Sequence, residues 1–340
     1  MKKYLLLQST PFFKANLHTH TTVSDGLLTP EETKRVYLEN GYSIVAFTDH
    51  EIIGNQTHLT DDRFLALTAY EYAVNEICEG LPYEFFKTYH LNLFSKDPQK
   101  NDYSVFSVDK ANLFKNAKAH IPPHMSERRY ASSYSTESVN EIIRIANEEG
   151  FLVSLNHPIW SQQGYEDYAD LHGLWGVEVY NTGCAHSGYT DNPVPLDTLL
   201  RSGEWLFPLA TDDSHVFDDC CHGWIMVDAE KLEYTAVMNA LEKGDFYAST
   251  GPDFKEISIE NGILTVRTSD VVSIFVSSDR RANFQKRSAA GETINEAVFD
   301  LNRYIENSAL KDCPHYIRVT IRDTKGNEAW SRAYALSEIV

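Results

Sequence analysis

The feature that most constrains the fold of this chain is an alternation of short apolar runs with segments of helical periodicity, from Asn16 to about Gly251. The apolar runs have the length and composition of strands, and nearly all of them end in polar residues. The predicted strands cover residues 15–18, 44–48, 64–68, 89–94, 151–155, 176–180 and 206–210. Because strands alternate with helices, the pattern predicts an α/β barrel or sheet with the helices on the outside.

Capping signals mark the helices between these strands. Thr29 and Glu32 have the spacing of a capping box, and Gly41 is a stop signal after the helix that follows. Two later apolar stripes at helical spacing end at Gly150 and Gly244. These segments are interpreted as scaffold helices.

Two stretches depart from the alternation. Residues 94–136 are polar and aromatic without a regular period, which predicts a functional lid or a disordered insert. After Gly251, short alternating runs are separated by turn signals such as Asn261-Gly262, which predicts a small antiparallel β-sandwich. The chain therefore divides into two expected domains, residues 1–251 and 252–340.

Side chains of metal-ligand type stand at the ends of the predicted strands. Nine of them stand at six of the seven strand ends: His18, His20, Asp25, His50, Glu71, His90, His157, Asp213 and His215. In an α/β barrel the loops after the strands converge on one rim, so these residues are expected to meet. Imidazoles and carboxylates without thiolates suit zinc, manganese or iron better than calcium. A single His-x-His is a weak signal, but its repetition along the chain predicts a metal centre.

The segments that contain these residues resemble the motifs of the polymerase and histidinol phosphatase (PHP) family. The matching segments, in order, are 16–26 (NLHTHTTVSDG), 47–50 (FTDH), 70–71 (YE), 89–90 (YH), 155–158 (LNHP) and 213–215 (DSH). The resemblance covers roughly residues 14–251. It implies a distorted (β/α)7 barrel that holds three divalent metal ions.

The resemblance also implies which residues hold each ion. His18, His20, Glu71 and Asp213 would hold the first ion, and Asp25, His50 and His215 the second; Glu71 would bridge to a third ion held also by His90 and His157. Asp212 is an alternative to Asp213, which is preferred because Asp-x-His places both side chains on one face of an extended chain. Asp49 and Asp212 are candidates for supporting the ligands.

The segments 176–181, 210–215 and 247–252, with the tail segment EAWS at 328–331, resemble a branch of the family that includes carbaryl hydrolase-like metallohydrolases. The function implied first is hydrolysis of a small phosphate monoester by a metal-bridging hydroxide, without a side-chain nucleophile. One alternative is a carboxylic ester, carbamate or cyclic phosphodiester as substrate at the same site. An alternative of another class is a non-catalytic, metal-stabilised interaction module.

Four residues are candidates for contacting the substrate. Arg128 and Arg129 lie in the insert and could hold a phosphate bidentately, although an exposed basic edge explains them equally well. Asn181 could position water or substrate, or it could be a buried amide that satisfies backbone groups. His186, which follows this strand end, is better placed to reach a substrate.

Charge narrows the class of partner. The chain has 30 Lys and Arg against 49 Asp and Glu, a formal charge of −19, which argues against nucleic-acid polymers and anionic membranes. A small anionic substrate remains compatible, because bound cations reverse the charge locally. The apolar run near the N-terminus is too short for a signal peptide, and five cysteines lack paired spacing. We therefore expect a cytoplasmic protein with no membrane span.

Overall fold

The computed structural model describes residues 1–7, 12–77, 85–114, 116–281, 283–308 and 313–340. Its strands are β1 (Lys3–Leu7), β2 (Phe13–Asn16), β3 (Ile44–Phe47), β4 (Leu65–Ile77), β5 (Phe85–Ser95), β6 (Phe151–Leu155), β7 (Gly176–Asn181), β8 (Phe207–Thr211), β9 (Trp224–Val227), β10 (Phe246–Ser249), β11 (Phe254–Glu260), β12 (Ile263–Val271), β13 (Ser273–Ser278), β14 (Phe284–Arg287), β15 (Ile294–Asp300), β16 (Tyr316–Arg322), β17 (Glu328–Ser331) and β18 (Tyr334–Ala335). Its helices are α1 (Pro30–Glu39), α2 (Val108–Ala111), α3 (Thr136–Glu148), α4 (Tyr165–Tyr168), α5 (Thr182–His186), α6 (Val194–Ser202), α7 (Tyr234–Lys243), α8 (Asn302–Ser308) and α9 (Leu336–Ile339). No helix among the described residues is both long and apolar enough to cross a bilayer.

Strands β2 to β8 follow one another in chain order within one large sheet. The neighbours among β2, β3 and β4 are parallel, as are those among β6, β7 and β8, whereas β5 runs antiparallel to both β4 and β6. The mixed α/β class predicted from the sequence is confirmed. Among the described strands, β2 and β8 do not pair, so the row does not close into a regular barrel. The segments that follow these two strands meet through an isolated bridge between Thr19 and Ser214.

The helices begin and end where the capping signals predict. At α1 the backbone N–H of Glu32 donates to the hydroxyl of Thr29, and the Glu32 carboxylate accepts from the Thr29 N–H, which completes the capping box. Gly150 and Gly244 follow α3 and α7 with φ values of 84° and 72°, a conformation that glycine adopts without strain. The apolar stripe of α3 is fully buried in the main core, which fixes this helix against the sheet.

The strands after Gly251 enclose a separate apolar cluster between a small sheet and one end of the large sheet. One sheet has the order β1-β11-β12-β15, and the other side of the cluster is formed by β14, β13, β16 and β17. Two strand pairings connect the predicted domains on either side of the division between residues 251 and 252. The N-terminal strand β1 pairs with β11, and β17 pairs with β10. Both links are antiparallel ladders, so the tail is joined to the first part of the chain by backbone hydrogen bonds.

The insert at residues 94–136 is built onto the first part of the chain. It contains α2 and two short 3₁₀ turns, Ala117–His120 and Pro123–Met125. Tyr103 accepts a hydrogen bond from the backbone N–H of Ile53, and the ring of Phe114 stacks on His50 with centroids 4.8 Å apart. The insert therefore packs beside His50, one of the predicted metal ligands.

Candidate metal centre

The nine ligand-type residues predicted from the sequence meet at one end of the β2–β8 row. Ligand atoms within 4.8 Å of one another form four overlapping groups: His20, Asp25, His50 and His215; His18, His20 and Asp213; His18, Glu71 and His157; and His50, Glu71 and His90. Seven of the nine line a cavity of about 440 Å³. The other two, His18 and His20, lie within these groups and are buried, with 0% and 2% exposure.

The loop after β2 carries three of the nine residues. His18 and His20 are two positions apart, and their Nε2 atoms are 3.2 Å apart. The Asp49 carboxylate accepts from the backbone N–H groups of Thr21 and Ser24, at 2.8 and 3.1 Å, and so holds the turn that leads to Asp25. Asp49 therefore lies where it can support the ligand loop, and its role in the centre stays a prediction.

The β4–β5 hairpin carries Glu71 and His90. His90 is predicted from the sequence at the carboxyl end of a strand, but it lies inside β5, opposite Ala73. Since β5 runs antiparallel to its neighbours, its N-terminal half reaches the polar end of the sheet. His90 Nδ1 consequently lies 3.1 Å from Glu71 Oε1.

Two of the predicted ligands have unusual backbone conformations. The φ values of His157 and Asp213 are 27° and 50°, in the left-handed region that non-glycine residues rarely adopt. The backbone N–H of Asp213 donates to the carbonyl of His18 at 2.8 Å, which ties the chain after β8 to the chain after β2. Strain of this kind persists where the surroundings over-determine a conformation, and it concentrates at functional sites.

Glu178, on β7, supports the cluster and was not identified from the sequence. Its Oε1 lies 2.7 Å from His18 Nδ1, and its Oε2 accepts from the backbone N–H of His157 at 2.9 Å. The side chain is fully buried. A carboxylate on Nδ1 fixes the orientation of the imidazole and leaves Nε2 directed at the cluster. The available signal was an acidic residue within the apolar run at 176–180.

The adjacent acids Asp212 and Asp213 have different surroundings. Asp212 accepts from the backbone N–H groups of Cys221, His222 and Gly223 at 2.7–2.9 Å, so it holds the loop before β9. Asp213 lines the cavity, and its Oδ1 lies 3.0 Å from His20 Nε2. The geometry favours Asp213 as the ligand and Asp212 as the support.

The hydrogen bonding of the buried ligand atoms indicates whether the cluster suits a metal ion. Four buried ligand atoms lack a well-oriented hydrogen-bond partner: His20 Nδ1, His50 Nδ1, Glu71 Oε2 and Asp213 Oδ1. His50 Nδ1 lies 3.0 Å from Glu71 Oε2, and Asp213 Oδ1 lies 3.0 Å from His20 Nε2, so these atoms are close to one another without being aligned as donor and acceptor. Buried polar atoms are normally paired, because leaving one unpaired costs about 1–3 kcal/mol. A cation among these nitrogen and oxygen atoms would satisfy several of them at once. The residues present therefore fit divalent metal ions.

The charges of the cluster are coupled. Burial alone would raise the pKa of Glu71, but His90 and His18 hold that pKa well below its usual range. Burial lowers the pKa of His157, yet the carboxylates of Glu71 and Asp213 raise it to about 9. For His50, burial and the neighbouring His20 leave the pKa well below its usual value. The ionised Glu71 and the neutral His50 are in the protonation states that metal binding requires, whereas His157 has to release a proton when an ion binds.

The four residues predicted to contact the substrate differ in position. Arg128 Nη1 donates to Asp102 at 2.6 Å, and Arg129 Nε donates to Asp109 at 2.8 Å. Neither arginine is among the described residues that line the cavity.

Asn181 and His186 lie nearer to the cluster. The Asn181 side chain caps α5 by accepting from the Cys184 N–H at 2.9 Å, and it donates to Glu178 at 2.9 Å, so it has a structural role. His186 lines the cavity, with Nδ1 2.9 Å from Oδ1 of Asp219. Asp219 was not singled out from the sequence, since only the fold brings it to the cavity.

A further group of ligand-type residues lies in the tail, at Asp279, Cys313 and His315. The Asp279 carboxylate already accepts from the Tyr304 hydroxyl at 2.6 Å and lies 3.5 Å from Arg280 Nε. The nearby guanidinium makes this group a poorer cation site than the main cluster.

Comparisons with known proteins find distant structural similarity only. No protein-family model matches the sequence, and no curated protein matches it. The chain is similar to a two-domain protein from Bacteroides vulgatus that contains a predicted PHP-like metal-dependent phosphoesterase, with 13% identity, 98% of both chains covered and a TM-score of 0.40.

Two further similar structures cover less of this chain. One is a protein from Bifidobacterium adolescentis assigned provisionally as a metal-dependent phosphoesterase, and the other is an amidohydrolase from Chromobacterium violaceum. Each is 17% identical and covers 59% of this chain and 87% of its own, with TM-scores of 0.37 and 0.40. At this level of similarity, the function has to be supported by the side chains of the site.

Proposed function

We propose that this chain is a metal-dependent hydrolase of the PHP family that cleaves a small phosphate monoester at a centre for three divalent ions. One observation carries the proposal: nine imidazole and carboxylate side chains from distant parts of the chain meet at one cavity, which seven of them line, and four of their buried atoms lack a well-oriented hydrogen bond. A purely structural cluster would be expected to satisfy these atoms internally.

The ligand groups support an assignment of three ions in part. Asp25, His50 and His215 fall in one group together with His20, and His18, His20 and Asp213 fall in another. Glu71 belongs to two groups, one with His18 and His157 and one with His50 and His90, which favours a bridging role, but His90 and His157 share no group. Zinc, manganese and iron suit this donor set.

The residues of the cavity favour hydrolysis without a side-chain nucleophile. Bound divalent ions would supply hydroxide near neutral pH and would neutralise charge on the ester oxygens. Cys184 lines the cavity, but burial raises the pKa of its thiol, so it is a poor nucleophile. Trp160 and His186 form part of the wall and would contact the organic group of the ester.

We also propose the domains, the substrate class and the cellular location that the sequence predicts. Residues 1–251 form a distorted (β/α)7 barrel and residues 252–340 a β-sandwich domain, supported by the β2–β8 row and by the separate apolar cluster of the tail. The substrate is a small anion rather than a polymer, and the protein is cytoplasmic. The charge of −19 supports a small substrate rather than a polyanion. The four described cysteines are all free, which agrees with a reducing cytoplasm.

One observation favours a second candidate substrate. The described residues that line the cavity include no Lys or Arg, so the bound ions alone would hold a phosphate. A carboxylic ester, carbamate or cyclic phosphodiester carries less charge and needs no cationic side chain. The same centre would hydrolyse it by the same chemistry.

The test is turnover by purified protein loaded with zinc, manganese or iron. We expect phosphate release from aryl and alkyl phosphate monoesters, and loss of that release in the Asp213→Asn variant. Release from aryl carbamates or cyclic phosphodiesters alone would select the second candidate. Full metal loading with no turnover in any of these panels would overturn the proposal.

A further inference from the structure

His186 and Asp219 form a pair at the edge of the cavity, outside the nine ligands. His186 ends α5, and Asp219 ends a 3₁₀ turn, Phe217–Asp219, that follows β8. His186 Nδ1 lies 2.9 Å from Asp219 Oδ1, and both residues line the cavity. The Asp219 side chain is only 12% exposed, whereas that of His186 is 47% exposed.

The backbone holds this pair beside the ligands. Asp219 Oδ2 accepts from the backbone N–H groups of His215 and Val216, each at 3.3 Å. His215 belongs to the ligand group with Asp25, whose side chain is 40% exposed. The pair therefore adjoins the solvent-facing side of the centre, where the organic group of an ester would depart.

An imidazole that donates from Nδ1 to a carboxylate has its ring orientation fixed, and the carboxylate stabilises the charged form of the ring. In the charged form of such a ring, the second nitrogen, Nε2, carries the proton that can be transferred. The ring of His222 lies next to His186, with centroids 5.5 Å apart, but His222 is not among the described residues that line the cavity. Within the described part of the chain, His186 is thus the imidazole outside the ligand set that lines the cavity.

We propose that His186 is the general acid that protonates the leaving-group oxygen, with Asp219 as its positioning residue; this inference rests on the proposed function. As oxygen from water forms a bond to phosphorus, the bond between phosphorus and the leaving oxygen breaks. The leaving oxygen takes both electrons of that bond and the proton of His186 Nε2. The products are an alcohol and phosphate, and the neutral imidazole regains its proton from solvent.

The closing experiment compares substrates whose leaving groups differ in basicity. An alkyl phosphate needs a proton donor because alkoxide is a poor leaving group, whereas 4-nitrophenyl phosphate hardly needs one. In His186→Asn, which retains a donor near Asp219, we expect kcat/KM for the alkyl ester to fall by about 10²- to 10³-fold, and that for the nitrophenyl ester to fall severalfold at most. Asp219→Asn should give a weaker effect with the same dependence on the leaving group.

A matched control is available on the surface. His172 Nδ1 lies 2.9 Å from Glu204 in the same arrangement, but its side chain is 66% exposed and lies outside the cavity. His172→Ala should leave both esters unaffected. Equal losses on both esters in His186→Asn, or no loss on either, would overturn the inference and leave the proposed function standing. A metal-loaded wild-type protein that hydrolyses neither ester would overturn the proposed phosphatase function and this inference with it.

Discussion

His18 Nδ1 lies 2.7 Å from Glu178 Oε1, and both side chains are fully buried. Because the carboxylate occupies one ring nitrogen, only Nε2 of His18 remains for a metal ion. The same carboxylate group accepts from the Thr211 hydroxyl and from the His157 backbone N–H. One side chain therefore orients two ligand residues, His18 and His157, that follow different strands.

We expect Glu178→Gln to lower metal affinity and turnover by about 10- to 100-fold while the fold is kept, since a neutral amide holds the imidazole less well. Metal content after dialysis against a weak chelator and kcat/KM measure the two effects. Glu204→Gln, at the exposed His172 pair, is the matched control and should change neither. Unaltered metal content in Glu178→Gln would count against a role in orienting His18.

Removal of metal should destabilise the protein. The four unsatisfied ligand atoms are buried, so the metal-free fold keeps unpaired polar groups that bound ions would satisfy. Each site that binds only the folded chain adds about 2.7 kcal/mol when the free ion is at 100 times its Kd. We expect Tm to rise with added zinc or manganese and to fall with chelator.

The control for the metal effect is Asp213→Asn, which removes a carboxylate from the centre. Its Tm should respond to added metal less than that of the wild type. An equal response in the two proteins would show that the ions act elsewhere on the chain.

Those features of the site that depend on local sequence pattern could be predicted from the sequence. His18 and His20 share a face because side chains alternate along an extended chain, and α1 starts where the Thr29 capping box predicts. Both features are encoded within a few residues. They do not depend on what the rest of the chain does.

Features that depend on distant partners could not be predicted in the same way. The antiparallel direction of β5 was missed because a short apolar run has the same composition in either direction, and only its hydrogen bonds to β4 and β6 distinguish the two. The pairing of β1 with β11 joins segments about 250 residues apart. Glu178 stands out in the sequence only as an acidic residue within an apolar run, and its partner His18 is identified only by the fold.

Asp191 should make stability depend on pH. Burial raises the pKa of this carboxyl to about 7, so the folded chain binds a proton that the unfolded chain releases at much lower pH. The stabilisation is complete below the unfolded pKa of about 4 and is lost as pH rises toward 7. We expect the metal-free protein to lose stability between about pH 4 and pH 7 from this group.

Urea unfolding of metal-free wild type and Asp191→Asn near pH 5 and near pH 8 isolates this contribution, since other groups titrate equally in both proteins. The variant should lose less stability than the wild type on going to the higher pH. Parallel losses in the two proteins would mean that Asp191 is ionised in the folded chain throughout this range.

A bidentate ion pair joins the two parts of the chain. Arg318, on β16, donates from Nε and Nη2 to the two carboxylate oxygens of Asp197, on α6, each at 2.7 Å, and its side chain is only 6% exposed. Asp197→Asn would leave the guanidinium buried without its counter-charge, so we expect a loss of about 3 kcal/mol in the free energy of unfolding, measured with urea. Glu296→Gln, which breaks the exposed pair with Arg267, is the control and should have no measurable effect. If Asp197→Asn were as stable as this control, the contact between α6 and the tail would contribute little to holding the two parts together.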